Sequence, residues 1–166
     1  MPSQAFPPLR GDDAHTLILG TFPSPLLRER GEYYGNSRNQ FWRLLFGVFA
    51  EPFDRPDYER KKAVLFANGV ALWDVIAECE PEGALDTGIR NPVYNTALPE
   101  FIAEQRISNV LFNGNNAYAF YLRNIGAIER SVLPSSSPAN ARLSFEGKLR
   151  LWQEIINPPL LASRPT

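Results

Sequence analysis

Three consecutive serines, Ser135, Ser136 and Ser137, are followed directly by Pro138, and they are the first residues in this sequence whose types could carry chemistry. If a helix begins at this proline, free backbone amides and hydroxyls point outward at its positive end. Such an end is a ready site for a phosphate or another anion. Capping of that helix by Ser137 explains the same residues without any ligand, so both interpretations stay open.

Two further polar segments have residue types that suit a ligand. Residues 20–24, with the sequence GTFPS, end a short apolar run, and their Gly and Pro force a turn whose backbone amides can face a ligand. Residues 33–42, with the sequence YYGNSRNQFW, begin with two tyrosines that suit a platform for stacking a flat ring. The first segment can also be explained as a turn without function. The second can also be explained by half-buried aromatic side chains and by an Asn39 that only caps a helix.

Chemistry that depends on histidine, cysteine or a metal is almost excluded by the composition. The 166 residues include one histidine, His15, and one cysteine, Cys79. This removes a disulfide framework and a zinc site made of Cys and His. A hydrolase that uses residues 135–137 as nucleophiles is poorly supported, because only His15 or a carboxylate could activate a serine. We expect no metal ligands.

The elements that must position these segments are short apolar runs that alternate with helical patterns. Strands are predicted at residues 16–20, 109–112 and 131–133, and residues 70–73 are either a strand or an extended segment. Helices are predicted at residues 39–50, 56–68, 98–105, 116–123 and 138–156. This alternation indicates an α/β fold with three layers, in which helices cover both faces of a parallel sheet of about four strands. Ligands bind at the carboxyl ends of such strands, so the three segments are predicted to converge there.

Length, charge and hydropathy predict a single domain over residues 1–166, whose core covers about residues 16–157. The proline-rich ends, residues 1–9 and 158–165, are expected to be flexible or pinned to the surface. A net charge of −1 hides an acidic middle between basic flanks, which permits one cationic face. No apolar run approaches the roughly 18–20 residues of a membrane span. The first residues lack the layout of a secretory signal, so a cytoplasmic protein is expected.

In their order along the chain, these segments resemble the uracil-DNA glycosylase superfamily, and within it the hypoxanthine-DNA (deoxyinosine) glycosylase family. Five motifs within residues 16–157 carry the resemblance: LILGTFPS at 17–24, YYG-x-x-RN-x-FW at 33–42, GVALWDV at 69–75, LFNG at 111–114 and LPSSSPA at 133–139. The element formed by Asn39, Phe41 and Trp42 is also similar to mismatch-specific uracil glycosylases.

The resemblance implies a monofunctional DNA glycosylase of base excision repair, acting as a monomer on DNA that contains a deaminated base, hypoxanthine above all. Neither a cofactor nor a covalent nucleophile is needed, because the enzyme must only bind a flipped base, stabilise it as it departs and position one water. Asn39 is the implied catalytic residue, which orients that water. The implied base-binding residues are Gly20, Thr21, Phe22, Pro23, Ser24, Tyr34, Asn113, Ser135 and Ser136. The implied DNA contacts are Ser137, Asn140, Arg142 and Lys148, with residues 139–143 as the wedge that replaces the flipped nucleotide.

The sequence departs from the related branches at three positions. Phe22 stands where mismatch-specific enzymes have a water-activating Asn, Leu133 stands where the best-known branch has a His, and Ser37 stands where a Pro is expected. Asp74 is expected to hold a neighbouring loop rather than to contact substrate. The alternatives are a uracil or mismatch-specific glycosylase, or a nucleic-acid-binding module without catalysis on the same fold.

Overall fold

A four-stranded parallel sheet lies at the centre of the computed structural model, which describes residues 3–23, 31–80 and 90–157. Seven strands occur in these residues: β1 (Ser3–Gln4), β2 (Thr16–Gly20), β3 (Val70–Asp74), β4 (Ile76–Cys79), β5 (Val93–Tyr94), β6 (Asn109–Asn113) and β7 (Val132–Leu133). The central sheet has the order β3-β2-β6-β7, and every neighbouring pair is parallel. The predicted parallel sheet of about four strands is therefore confirmed.

Helices cover both faces of this sheet. They are α1 (Phe41–Val48), α2 (Tyr58–Ala67), α3 (Leu98–Glu104), α4 (Asn115–Asn124) and α5 (Phe145–Ile156). Side chains along β2 alternate between the faces: Ile18 packs in a core with α1, α2 and α5, whereas Leu17 and Leu19 pack in a second core with α3 and α4. The fold is the expected three-layer α/β/α arrangement.

The last helix begins later than predicted. It starts at Phe145, where the Ser144 hydroxyl accepts a hydrogen bond from the Gly147 amide at 3.1 Å. Residues 137–140 instead form a turn, because the Ser137 hydroxyl accepts from the Ala139 amide and the Ser137 carbonyl from the Asn140 amide. Local side-chain bonds of this kind compete with a helix. Both interpretations of the three serines, an anion site at a helix N-terminus and capping of that helix by Ser137, are therefore wrong.

A second, antiparallel sheet with the order β1-β4-β5 was not predicted. It holds the N-terminal segment in place: the Ala5 amide donates to the Ala77 carbonyl, and Leu9 and Leu72 exchange two backbone hydrogen bonds of 2.8 and 2.9 Å. Residues 3–9 are thus bound to the domain surface and do not form a flexible end. The C-terminal proline-rich end, residues 158–165, lies outside the described residues.

None of the helices in the described part of the chain is long and apolar enough to cross a membrane.

Candidate active site

The carboxyl ends of the central strands open into a cavity of about 340 Å³, which we call the rim cavity. This volume lies in the range of small-ligand sites. Its lining comes from three loops and three strand ends: Gly20, Thr21, Phe22, Pro23, Tyr33, Tyr34, Asn36, Asn39, Asp74, Asn113, Ser135, Ser136, Ser137 and Pro138. The predicted convergence of the three segments at one edge of the sheet is therefore observed. Ser24 lies outside the described residues.

The floor of the rim cavity depends on Gly20, the last residue of β2. A Cβ atom at this position would lie 2.8 Å from Oδ1 of Asp74 and 2.8 Å from the hydroxyl of Tyr34. Both separations are shorter than van der Waals contact, so a larger side chain would displace one of these oxygens. Glycine therefore lets a carboxyl group and a phenol lie close together under the cavity.

Tyr34 is held in an unusual backbone conformation, with φ of 52°. Its neighbour Tyr33 fixes the loop, because the Tyr33 hydroxyl donates to the Pro7 carbonyl at 2.7 Å and the Tyr33 carbonyl accepts from the Trp42 indole at 2.8 Å. The Tyr34 ring stacks on Phe41, with centroids 4.0 Å apart and planes inclined by 13°. One ring face is thus occupied, and a base can meet only the other face or the edge of Tyr34.

Asn39 lies in the turn that leads into α1. Its Oδ1 accepts a hydrogen bond from the Phe41 amide at 2.9 Å, so the side chain does take part in capping the helix. This bond fixes which end of the amide is oxygen. The carbonyl keeps a second lone pair, and the Asn39 NH₂ group makes no hydrogen bond to any described residue. Both groups remain available to a water in the rim cavity.

The turn formed by residues 134–138, here called the serine turn, is fixed by Asn113. The Asn113 amide donates to the Ser136 hydroxyl and accepts from the Ser136 amide, each at 2.9 Å. Ser136 is fully buried, and its carbonyl accepts from the Gln40 amide at 3.0 Å. Gly114, with φ of 96°, allows the close approach of Ser135. Asn113 therefore binds the serine turn through both ends of its side-chain amide.

Lys148 is buried and does not lie where a DNA phosphate could reach it. Its ammonium donates to Oε1 of Gln40 at 2.8 Å and faces the Ser137 carbonyl at 3.5 Å, and its exposed fraction is 2%. Burial lowers the pKa of this amine. The predicted phosphate contact is therefore wrong, because the side chain is buried and its ammonium is bound to Gln40. Instead, Lys148 joins α5 to the two loops that carry Asn39 and the serine turn.

A second concavity of about 840 Å³, here called the flanking groove, shares four lining residues with the rim cavity: Thr21, Asn113, Ser135 and Ser137. Asn140 and Arg142, both predicted to contact DNA, line this groove. The groove also contains Leu143 and the following residues, for which the sequence predicted no role: Asn115, Asn116, Arg130 and Leu151. Exposed Leu143 belongs to the segment predicted to act as a wedge, residues 139–143.

Asp74, which the sequence assigned to holding a neighbouring loop, lies in the rim cavity itself. It ends β3, lines the rim cavity and is 5% exposed. Burial raises the pKa of this carboxyl to about 7. The available signal was its place directly after an apolar strand, where ligand-binding residues of parallel sheets occur.

The geometry does not favour a serine nucleophile activated by histidine, or a metal site. His15 precedes β2, whereas the rim cavity follows its last residue, and five strand residues span about 16 Å. His15 cannot therefore activate a serine of the serine turn. Within the described ranges, no three His, Cys, Asp or Glu side chains are grouped so that they could hold a metal ion. The site offers amides, hydroxyls, two phenols and one carboxyl, which suits binding of a neutral heterocycle.

Two curated relatives cover almost the whole chain. A hypoxanthine DNA glycosylase from Methanosarcina acetivorans is 37% identical over 148 residues, which are 87% of this chain and 92% of the relative. A hypoxanthine DNA glycosylase from Methanosarcina barkeri is 34% identical over 158 residues, 93% of this chain and 98% of the relative. The chain belongs to the hypoxanthine DNA glycosylase family.

Membership of the hypoxanthine DNA glycosylase family agrees with the architecture. The solution structure of a protein described as a candidate uracil DNA glycosylase, also from Methanosarcina acetivorans, superposes with a TM-score of 0.75 at 34% identity. The superposition covers 94% of this chain and 97% of that one. A scan against protein-family models found no match. The resemblance seen in the sequence is thus confirmed for the family and for the fold.

Proposed function

We propose that this chain is a monofunctional DNA glycosylase that hydrolyses the N-glycosidic bond of a flipped, deaminated base, hypoxanthine above all. The observation that carries this proposal is the rim cavity, in which Asn39, Tyr34 and the serine turn meet at the strand ends. The two relatives named as hypoxanthine DNA glycosylases support the choice of base.

The chemistry that such a cavity can perform needs no covalent intermediate. As the bond between the base and C1′ of the sugar breaks, the bonding electrons leave with the base and the sugar becomes an oxocarbenium-like cation. Water then attacks C1′ and leaves an abasic site. We assign the positioning of this water to Asn39, whose free carbonyl lone pair and NH₂ group can hold it.

Stabilisation of the departing base falls to the other walls of the cavity. The base would stack on the open face of Tyr34, while the backbone amides of Thr21 and Ser135 donate hydrogen bonds to its edge. A purine offers more stacking area than a pyrimidine, which supports hypoxanthine over uracil. Phe22 contributes an apolar wall where mismatch-specific enzymes place an amide.

The flanking groove is the proposed path of the DNA backbone beside the flipped nucleotide. Arg142 is exposed there, and the Arg130 guanidinium lies 5.7 Å above the Tyr118 ring and 3.3 Å from Oδ1 of Asn115. Guanidinium groups form two-pronged hydrogen bonds with phosphate. We assign Arg142, Asn140 and Ser137 to backbone contacts, and Leu143 to the wedge.

We further infer that the chain acts as a monomer in the cytoplasm. The rim cavity and the flanking groove are both built from segments of one chain, so no second copy is needed to complete the site. The single cysteine permits no disulfide within the chain, as is usual for proteins of reducing compartments.

The test is excision from synthetic duplexes that contain one deoxyinosine or one deoxyuridine, with alkaline cleavage of abasic sites. We expect strand cleavage to be faster at deoxyinosine than at deoxyuridine. Faster cleavage at deoxyuridine would move the protein to the uracil or mismatch-specific alternative. Tight binding to DNA without cleavage of any substrate would support the non-catalytic binding module.

A further inference from the structure

One carboxyl group in the rim cavity has no role in the chemistry above. Asp74 is 5% exposed, and its Oδ2 atom is buried without a hydrogen bond to any described residue. A buried carboxyl oxygen without a partner costs free energy, so such a group calls for an explanation. Because Asp74 lines the cavity in which the base would lie, its missing partner can be the base itself.

The backbone holds Asp74 firmly at this position. The next residue, Val75, donates its amide to the Gly20 carbonyl at 2.9 Å, and the Asp74 carbonyl accepts from the Asn95 side chain at 3.0 Å. Since β3 cannot shift past β2, the carboxyl stays at the floor of the cavity. The missing side chain of Gly20 leaves the space into which Oδ1 projects.

The surroundings of Asp74 favour its neutral, protonated form. The groups packed against it are the phenols of Tyr33 and Tyr34, the amide of Asn95 and the bare backbone of Gly20. None of these carries a positive charge that could stabilise a carboxylate. Burial accordingly raises the pKa of Asp74 to about 7, and a base that fills the cavity and expels water raises it further.

We propose that Asp74 is a second catalytic residue, the general acid that donates its carboxyl proton to the departing base. This inference rests on the proposed glycosylase function. The bond between C1′ and the base nitrogen breaks, and its electron pair passes to the base. The proton of Asp74 moves to an acceptor nitrogen or oxygen of the base, which leaves as a neutral molecule. Water bonds to C1′, and the proton it releases restores Asp74 through solvent, so one water is consumed and nothing is oxidised.

The opposite role, a carboxylate that activates the water, fits the site less well. A negative carboxylate facing a departing anion would be repelled by it in a site of low polarity. Purine bases carry ring nitrogens that accept a proton, and a protonated purine is a far better leaving group than its anion. Asn39 already supplies groups that can hold the water.

The experiment compares two substrates that differ only in their need for a proton. Single-turnover excision is measured on duplexes with deoxyinosine and with 7-methyldeoxyinosine, whose positively charged base departs as a neutral molecule without protonation. Wild type, Asp74→Asn and Asp54→Asn are compared on deoxyinosine between about pH 5 and 9, and on the methylated substrate at about pH 5, where its base keeps the positive charge. Asp54 is exposed and provides the matched control. DNA affinity and melting temperature of each variant establish that it is folded.

The expected result is a wild-type rate on deoxyinosine that falls as pH rises above about 7. Asp74→Asn should lower the rate on deoxyinosine roughly a hundredfold or more, because an amide hydrogen-bonds but transfers no proton. The same variant should retain its rate on the methylated substrate, and Asp54→Asn should match wild type on both.

Two outcomes overturn the assignment of Asp74. One is a wild-type rate on deoxyinosine that rises with pH through the same range, which indicates a carboxylate acting on the water. The other is an equal loss on both substrates in folded Asp74→Asn, which indicates a structural role. Because the wild-type pH profile needs no variant, it decides the question even if Asp74→Asn does not fold. Wild-type protein that releases neither base would instead overturn the proposed function, and this inference with it.

Discussion

The buried carboxyl of Asp74 should make the stability of this protein depend on pH in a direction opposite to that of a salt-bridged acid. Burial raises its pKa from 3.8 to about 7 in the folded state. The folded form therefore binds the proton more tightly than the unfolded form, and its contribution to stability is complete only below about pH 4. As pH rises from about 4 to about 7, that contribution is lost.

The size of the effect follows from the two pKa values. A difference of about three units corresponds to about 4 kcal/mol in the free energy of unfolding, of which more than half is lost between pH 5 and 8. For a domain of this length, that loss lowers the melting temperature by roughly 5–10 °C. Asp74→Asn removes the titrating group and keeps the shape of the side chain. The melting temperature of the variant should therefore rise relative to that of wild type as pH rises.

Thermal unfolding of wild type, Asp74→Asn and Asp54→Asn at about pH 5 and 8 measures this effect. The difference between wild type and Asp74→Asn should change by several degrees between the two pH values, whereas the difference for Asp54→Asn should stay constant. If both differences were independent of pH, the carboxyl of Asp74 would not be kept neutral by burial. The reasoning about its environment would then be refuted.

Three further substitutions test other parts of the site. Asn39→Ala should lower the single-turnover rate roughly a hundredfold, about 3 kcal/mol, with DNA affinity retained; a helix cap alone predicts near-normal excision and a stability loss of about 1 kcal/mol. Lys148→Met should cost about 1–3 kcal/mol of stability in chemical denaturation, because it leaves Gln40 and the Ser137 carbonyl without their donor; a loss of DNA affinity without a loss of stability would contradict its buried position. Arg142→Ala should weaken DNA binding and reduce the slope of log K against log salt by about one, and an unchanged slope would remove this residue from the DNA backbone contacts.

The parallel sheet and its helical layers could be predicted because their signals are local. The run from Thr16 to Gly20 is uniformly buried, and α1 carries apolar residues on nearly every side, so both patterns follow from sequence alone. The rim cavity could also be predicted, because loops that follow parallel strands must meet at one edge. Family resemblance added Asn39, which composition could not distinguish from a helix cap.

The remaining features depend on contacts between distant parts of the chain. The pairing of Gln4 with Glu78 joins strands of two and four residues, which are too short to leave a pattern. Pro138 had the appearance of a first helical residue, but hydrogen bonds within the serine turn delay α5 until Phe145. The burial of Lys148 depends on its hydrogen bond to Gln40, which is 108 residues away along the chain.

The lack of a hydrogen-bond partner for Oδ2 of Asp74 is likewise a consequence of the tertiary structure. Its environment exists only after β2, β3 and the loop that carries Tyr34 have come together. Sequence patterns describe which residues are near one another along an element, and they carry no information on which polar atoms lack a partner. The location of Asp74 at a strand end could be predicted from its sequence position. Its burial and its raised pKa could not.

The central claim is that the rim cavity of this protein releases hypoxanthine from DNA, and direct detection of the free base tests it most plainly. Wild-type protein and Asn39→Ala would be incubated with a duplex containing one deoxyinosine, and free hypoxanthine and abasic sites would be quantified by mass spectrometry. The account predicts one hypoxanthine for each abasic site with wild type, and a far slower release with folded Asn39→Ala. If wild-type protein bound the deoxyinosine duplex but left it intact and released no free hypoxanthine, the central claim would be contradicted.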